Sequence, residues 1–507
     1  MRNPMSGAFL AALLISTPVA GAFAQTAPDA VALAVKDQAD GKLKAVYAAR
    51  GFWPLWVKNG ALTPAAATLV SYLETADLDG LEPSDYDARA LRELVERSRS
   101  GDAEALARTE LRLSQAFARY VRDVRRAPNA QIRFLDEELR PKKLSEADVV
   151  RAAAVAPDFD RYLAEMGWMD PAYASLRRAM AERREHWSNL PGSYVAEGAA
   201  LKPGMGGDRV AALRERLGLD PRGKFDKRVA DELRAFQAAH GLKPDGVAGA
   251  GTIAALNRPP DWYDRKLAVN LDRARLLPGP GTRHIVVDIA AQQLVYFQEG
   301  TEAGRMRVVV GKPDQQTPML AGMLRFAILN PYWNVPDDLA YKRVVSRVLN
   351  GASLQTLGFE ALSGWDANAQ LLQQDQVDWR AVADGRQHVR VRQLPGPGNA
   401  MGRVKFMFPN DLGIYLHDTN EPELMKRPAR YFSSGCVRLE DAQRLGQWLF
   451  GQPLNPASDA PEQHVALPQP VPVYLTYLTV QATPEGVRFL DDVYARDQLD
   501  PGEFASR

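Results

Sequence analysis

The stretch "YFSSGCVRLEDA", Tyr431 to Ala442, holds Cys436, the only cysteine in 507 residues. Just upstream, "GIYLHDT" (Gly413 to Thr419) reads as a strand closing on His417, 19 residues before the thiol. A lone cysteine forms no intrachain disulfide, and its ordinary fate is that of a small, inert, buried hydrophobe. A free thiol with a pKa of about 8.5 is only a few per cent thiolate at neutral pH, so a working nucleophile needs a base beside it. A histidine titrating near neutrality fits, and such help is typically worth about 10²–10⁴ in rate. Gly435 lets the backbone turn tightly enough to present the thiol. The amides of Gly435 and Cys436 are then candidates for an oxyanion hole. A histidine and a cysteine at this spacing decide little alone; the surrounding chain decides.

The N-terminus sets the compartment. "MRNPMSGAFLAALLISTPVAGAFAQ" has a basic start at Arg2, an apolar run from Ala8 to Val19 and the small-x-small triplet Ala22-Phe23-Ala24. This predicts a secretory signal peptide over residues 1–24. The run is broken by Ser16-Thr17-Pro18 and falls short of the roughly 20 residues of a spanning helix, so a retained anchor is the weaker alternative. No later segment approaches a membrane span. Exported proteins meet oxidising conditions, where cysteines come in pairs, which makes the single thiol more pointed. There are no CxxC or HExxH spacings and only six histidines, so neither a metal nor a cofactor is expected. A net charge of +1 argues against nucleic acid as the main partner. The 46% hydrophobic fraction is ample for the roughly three domains that the length suggests.

Residues 25–195 are rich in Ala, Leu and Arg, with helical periodicity in "TPAAATLVSYLETA" (Thr63 to Ala76) and "AEALARTELRLSQAFARYVRDVRRA" (Ala103 to Ala127). Thr63-Pro64 is a helix start. "GFWPLW" (Gly51 to Trp56) reads as core packing in preference to a binding patch. "GSYVAEGAALKPGMGG" (Gly192 to Gly207) reads as a linker. Residues 200–258 form a unit of three helices, with Asp208 and Asp226 as expected caps and Gly218 and Gly241 as stops. On "RVAALRERLGL", "VADELRAFQAAHGLKPDGVAG" and "TIAALN" this unit resembles the type 1 peptidoglycan-binding module, a three-helix bundle; a plain helical spacer is the alternative. The texture then turns β-rich in "RHIVVDIAAQQLVYFQEG" (Arg283 to Gly300), "MRVVVG" (Met306 to Gly311), "LRFAILNPYWNVP" (Leu324 to Pro336) and "GRVKFMFPNDLGIYLHDT" (Gly402 to Thr419). A mostly β catalytic domain is expected over 263–480. Residues 337–398 are too long for an ordinary loop and read as an inserted cap subdomain; 481–507 are left as a C-terminal tail. The fold class is α+β multidomain.

"H-D-T … S-S-G-C-V-R-L" resembles the active-site signature of L,D-transpeptidases. "VVVGKPDQQTPMLAG … LNPYWNVP" adds to the likeness, and the whole mature chain resembles the large multidomain members of Gram-negative bacteria. The resemblance implies Cys436 as nucleophile, His417 as base and the backbone carbonyl of Asp418 as the group that orients the ring. Arg438 takes the Asn/Arg position of the signature, where a guanidinium suits a peptide carboxylate. Tyr415 and Trp333 are candidates for the pocket wall, with core packing the alternative. Ser434 stands where the common signature has a second histidine, so the base role falls on His417 alone. The implied activity is a cysteine acyl transfer in the periplasm that joins peptidoglycan stem peptides by 3→3 cross-links. An L,D-carboxypeptidase, in which water replaces the acceptor amine, and a wall-binding scaffold with a dead site remain as alternatives.

Overall fold

Apolar residues at three- and four-residue spacing become the buried faces of the N-terminal helices, in a computed structural model that describes residues 30–98, 101–126, 132–187, 190–279, 281–366, 368–483 and 486–497. The expected signal peptide lies outside the described residues. Helix α1 (Pro64–Glu74) starts after Thr63, with the proline in its first turn. Helix α2 (Ala103–Val124) starts where the Asp102 carboxylate accepts from the Ala105 amide at 2.8 Å, and it buries Leu113, Phe117 and Val121. Helix α3 (Pro171–His186) starts where the Asp170 carboxylate accepts from the Ala172 amide at 2.8 Å. Trp56 of "GFWPLW" is fully buried, edge-on to Phe117 at 5.8 Å and Phe159 at 4.8 Å, while Trp53 stays on the surface. Burying a side chain the size of Phe117 stabilises by about 1.5–3 kcal/mol.

Helices α4 (Asp208–Arg216), α5 (Lys227–Ala239) and α6 (Ala250–Leu256) close around their own core of Val210, Leu213, Leu233, Phe236 and Ile253. Asp226 caps α5 by accepting from the Val229 amide at 3.0 Å. Asp208 is the first residue of α4 and not its cap; Gly207, at φ +99°, holds that place. Gly218 and Gly241 end α4 and α5 in the left-handed conformation, and the next amides reach back to the Arg214 and Gln237 carbonyls at 2.8 Å. This is the six-to-one closure that favours glycine. The stretch read as a linker packs on this unit. Val195 and Leu201 are buried, Asn257 clasps both backbone groups of Val195, and Leu201 pairs with Ala248. Two apolar residues among the glycines carry that packing.

Helix α7 (Pro260–Ala274) precedes the sheet, and its Leu267, Leu271 and Ala274 join the helical core, so the β region begins later than the expected 263. A two-residue strand β1 (Arg133–Phe134) reaches across from the helical domain. Then follow β2 (His284–Asp288), β3 (Gln293–Gln298), β4 (Thr301–Gly311) and β5 (Leu320–Leu329). A separate sheet of β6 (Trp333–Asn334), β7 (Phe359–Leu362), β8 (Leu371–Leu372) and β9 (Arg390–Gln393) interrupts them. The main sheet resumes with β10 (Val404–Met407), β11 (Leu416–His417), β12 (Tyr431–Ser433), β13 (Val437–Leu439), helix α8 (Ala442–Phe450) and β14 (Gln463–Thr476). Its order is β10-β11-β13-β4-β3-β2-β14-β5-β1, and β10 also pairs with β5, so the sheet closes on itself around a core that includes Val308, Leu320, Phe406 and Leu475. The inserted unit leaves after β5 and returns at β10, two strands that pair, and has its own core with Trp333, Val344, Trp379 and Val391.

The expected tail is packed as well. Strands β15 (Val480–Thr483) and β16 (Gly486–Phe489) form a hairpin, Tyr494 is buried and Asp497 is 1% exposed. Among the described residues no helix is long and apolar enough to cross a membrane.

Candidate active site

Strand register assembles the site. Strand β11 runs parallel to β13 with Leu416 opposite Val437 and His417 opposite Arg438, and the Val437 amide donates to the Tyr415 carbonyl at 3.1 Å. Side chains alternate across a strand. Leu416 and Val437 therefore point into the closed sheet, where both are fully buried. Tyr415, His417, Cys436 and Arg438 share the opposite face, and the two chemically active side chains become diagonal neighbours.

The loop before β13 is held by short polar side chains. Ser433 Oγ donates to the Cys436 carbonyl at 2.6 Å and accepts from the Gly435 amide at 3.2 Å. Thr317 Oγ1 donates to the Gly435 carbonyl at 2.7 Å and accepts from the Gly311 amide at 2.9 Å. Gly435 sits at φ +113°, and a Cβ there would lie 3.1 Å from Ile414 Cδ1, so glycine is required. Its amide, expected as an oxyanion donor, is taken up by Ser433. The Cys436 amide has no partner among the described residues. The partly exposed thiol donates to the Gly413 carbonyl at 3.3 Å. Asn410 shapes that turn by accepting from the Leu412 and Ile414 amides, both at 3.1 Å. Sequence reading assigned no role to Thr317, Ser433 or Asn410; the turn-forming "PNDLG" carried a signal for Asn410 alone.

His417 is 1% exposed, and burial presses its pKa to about 3, aided by the Arg438 guanidinium and then by Lys405. The Asp418 and Met401 carbonyls face the ring and favour its charged form, although the buried Nδ1 makes no well-aligned hydrogen bond. The Asp418 side chain accepts from the Arg403 amide at 2.8 Å. Burial pushes the Cys436 thiol up, against smaller downward pulls from the Tyr415 amide and hydroxyl and from Arg438. The resting pair is thus neutral thiol beside neutral imidazole, and not the histidine titrating near neutrality that the sequence suggests.

Arg438 is engaged internally, donating to Glu421 at 2.5 Å. The Tyr415 ring lies 5.8 Å from that of His417 and packs against the core of the inserted unit. Ser434 is exposed on the loop. Trp333 is 7% exposed inside the core of the inserted unit, with the Arg343 guanidinium 5.6 Å from its ring, and so belongs to packing. Among the described residues no group of three His, Cys, Asp or Glu side chains is placed to hold a metal ion.

The fold is α+β and multidomain, with a thiol and an imidazole on one face of its closed sheet. Residues 282–453 match the family described as "L,D-transpeptidase catalytic domain", 210–256 match "Putative peptidoglycan binding domain" and 41–180 match "Scaffold domain". Residues 282–453 are thus an L,D-transpeptidase catalytic domain. A protein of Haemophilus influenzae named "Putative L,D-transpeptidase" is 29% identical over 241 residues, 46% of this chain. The match spans about half the length of that relative (48%). Two solved structures are similar at 16% identity each. An L,D-transpeptidase from Mycobacterium smegmatis matches over 39% of this chain and 59% of its own, with a TM-score of 0.19. Another from Xylanimonas cellulosilytica matches over 55% and 98%, with a TM-score of 0.17.

Proposed function

We propose that the protein is a peptidoglycan L,D-transpeptidase that forms 3→3 cross-links through a thioester on Cys436. The observation that carries the reading is the register of β11 and β13, which sets His417 and Cys436 on one face of the catalytic domain. In the first half-reaction Sγ attacks the carbonyl between the third stem residue, an L-centre such as diaminopimelate, and the terminal D-alanine. The thiol proton passes to the imidazole as the sulfur–carbon bond forms, because neither group is charged at rest. The Cys436 amide donates to the developing oxyanion. The peptide C–N bond then breaks, the imidazolium protonates the departing amine, and a thioester remains. In the second half-reaction an amine of a neighbouring stem attacks the thioester, His417 takes its proton, and the thiol is released.

Arg438 has two tasks in this reading. It helps keep His417 neutral, and it meets a substrate carboxylate by exchanging partners with Glu421. Tyr415 and Ser434 border the thiol, and residues 337–398 cover the cleft as a cap. The module at 208–257 holds the enzyme on the wall, which places it in the periplasm. Incubating the purified protein with tetrapeptide muropeptides tests this directly by mass spectrometry. The expected products are cross-linked dimers and free D-alanine. Trimmed tripeptides without dimers indicate an L,D-carboxypeptidase, and no turnover indicates a wall-binding scaffold.

A further inference from the structure

The hydroxyl that fixes the Gly435 carbonyl belongs to Thr317, in the segment between β4 and β5. That segment is held by residues from the far end of the chain, beyond the stretch that matches the catalytic family. The Tyr494 hydroxyl donates to the Gly311 carbonyl at 2.5 Å and accepts from the Thr317 amide at 3.4 Å, bridging both ends of the segment. The Arg496 guanidinium donates to Gln316 Oε1 at 3.0 and 2.8 Å and to the Thr317 carbonyl at 3.1 Å. Gln316 Nε2 returns a bond to the Tyr494 carbonyl at 3.2 Å. There is no slack here: a Cβ on Gly311 would fall 2.1 Å from the Gln315 carbonyl oxygen.

Residues 494–496 are themselves anchored. The Tyr494 amide donates to the Tyr477 hydroxyl at 2.9 Å, and the two rings stack 5.3 Å apart. The neighbouring Asp497 carboxylate pairs with Arg273 at 2.7 Å and Lys266 at 3.1 Å, both on α7, and accepts from the Thr479 hydroxyl. Asp497, Lys266 and Arg273 are 1%, 2% and 7% exposed, so removing Asp497 would strand two buried cations.

The Gly435 carbonyl and the Cys436 amide belong to one planar peptide unit. Anchoring the oxygen therefore sets the direction of the N–H. Glycine at positive φ otherwise leaves this peptide freer to turn over than any other residue would. We infer that Tyr494 and Arg496 are positioning residues of the catalytic loop: acting through Thr317, they aim the Cys436 amide at the oxyanion. The inference rests on the acyl-transfer reading above.

Two reactions of the same thiol separate aim from general integrity. Acylation by a β-lactam forms the Sγ–C bond, breaks the ring C–N bond and leaves the thiol proton on the ring nitrogen, with an oxyanion on the way. Alkylation by iodoacetamide forms an Sγ–C bond and expels iodide, with no oxyanion. In the full chain, Tyr494→Phe and Thr317→Val are expected to slow acylation by about tenfold or more, less than the roughly 10²–10³ lost with an oxyanion donor itself. Alkylation stays within about twofold, and Thr317→Ser, which keeps the hydroxyl, retains acylation. Should Tyr494→Phe fail to fold, the Thr317→Val and Thr317→Ser pair gives the same contrast. Unchanged acylation in folded variants, or equal loss of both reactions, overturns the inference. A wild-type protein that alkylates at Cys436 but neither acylates nor turns over muropeptides overturns the acyl-transfer reading instead.

Discussion

His417 and Arg438 stand opposite one another in the parallel pairing of β11 and β13, so a fixed positive charge borders a buried imidazole. A cation there opposes protonation of the ring, and burial opposes it further. The general base is therefore available at every pH near neutrality, and the thiol, also raised by burial, is the group that limits reactivity.

The rate at which a small electrophile labels Cys436 should accordingly climb with pH from 6 to 9 without levelling off. A preformed thiolate–imidazolium pair would instead give a plateau across that range. Arg438→Gln should let the pKa of His417 rise from about 3 toward its ordinary value, since one of its two main depressing causes is gone. Histidine NMR titration of the variant reads this, and an unmoved His417 resonance would show that burial acts alone.

Cys436→Ala should abolish turnover with the fold intact, because the side chain packs in no core cluster. His417→Ala should lower the rate by at least about 10² through loss of the base. Cross-linked dimers made by Cys436→Ala would mean that another group is the nucleophile.

The periodicities in the sequence carried the helices, the strands and the spacing of the two reactive residues. Local chemistry was readable wherever a residue acts on its own neighbours, as at Thr63-Pro64, Asp226, Gly218 and Gly241. Long-range closure was not. Nothing near Thr317 says that Gly435 lies against it, 118 positions away. Nothing in the final segment says that Asp497 meets α7. Burial of His417 was also hidden, because it follows from the sheet closing and from the inserted unit folding over Tyr415. The rule that assigns a near-neutral pKa to histidine describes a solvated ring.

His240 is a second place where a neutral imidazole is required. Its Nε2 accepts from Arg183 of α3 at 2.7 Å and its Nδ1 donates to the Phe236 carbonyl at 2.7 Å, joining the three-helix unit to the helical domain. Burial, then Arg183, lowers its pKa to about 3. The folded value lies below the unfolded value of about 6.5, so this stability is complete above pH 6.5 and is lost progressively as pH falls toward 3. Hydrogen exchange in α5 should accelerate between pH 7 and pH 4.5, after correction for intrinsic rates, more than in β14. A uniform change across these elements would place the sensitivity elsewhere.

Asn399 is a buried side chain that ties the inserted unit to the closed sheet. Asn399, 1% exposed, donates from Nδ2 to the Pro331 carbonyl at 3.0 Å, where the chain leaves the sheet, and to the Leu394 carbonyl at 2.9 Å, where it returns. Its Oδ1 accepts from the Met401 amide at 2.7 Å, and the Met401 carbonyl acts on His417. Asn399→Ala leaves several buried polar groups unpaired, at a cost of about 1–3 kcal/mol for each. That loss falls on the crossings and not on the core of Trp333, Trp379 and Val391, so the unit should stay folded but move more freely on its hinges. Exchange is expected to rise in 331–336 and 394–401, with β2 and β14 unchanged, and turnover of a tetrapeptide stem should fall as the cleft closes less often. If turnover falls while exchange at both crossings stays at the wild-type level, the side chain serves the His417 surroundings directly and the hinge account is wrong.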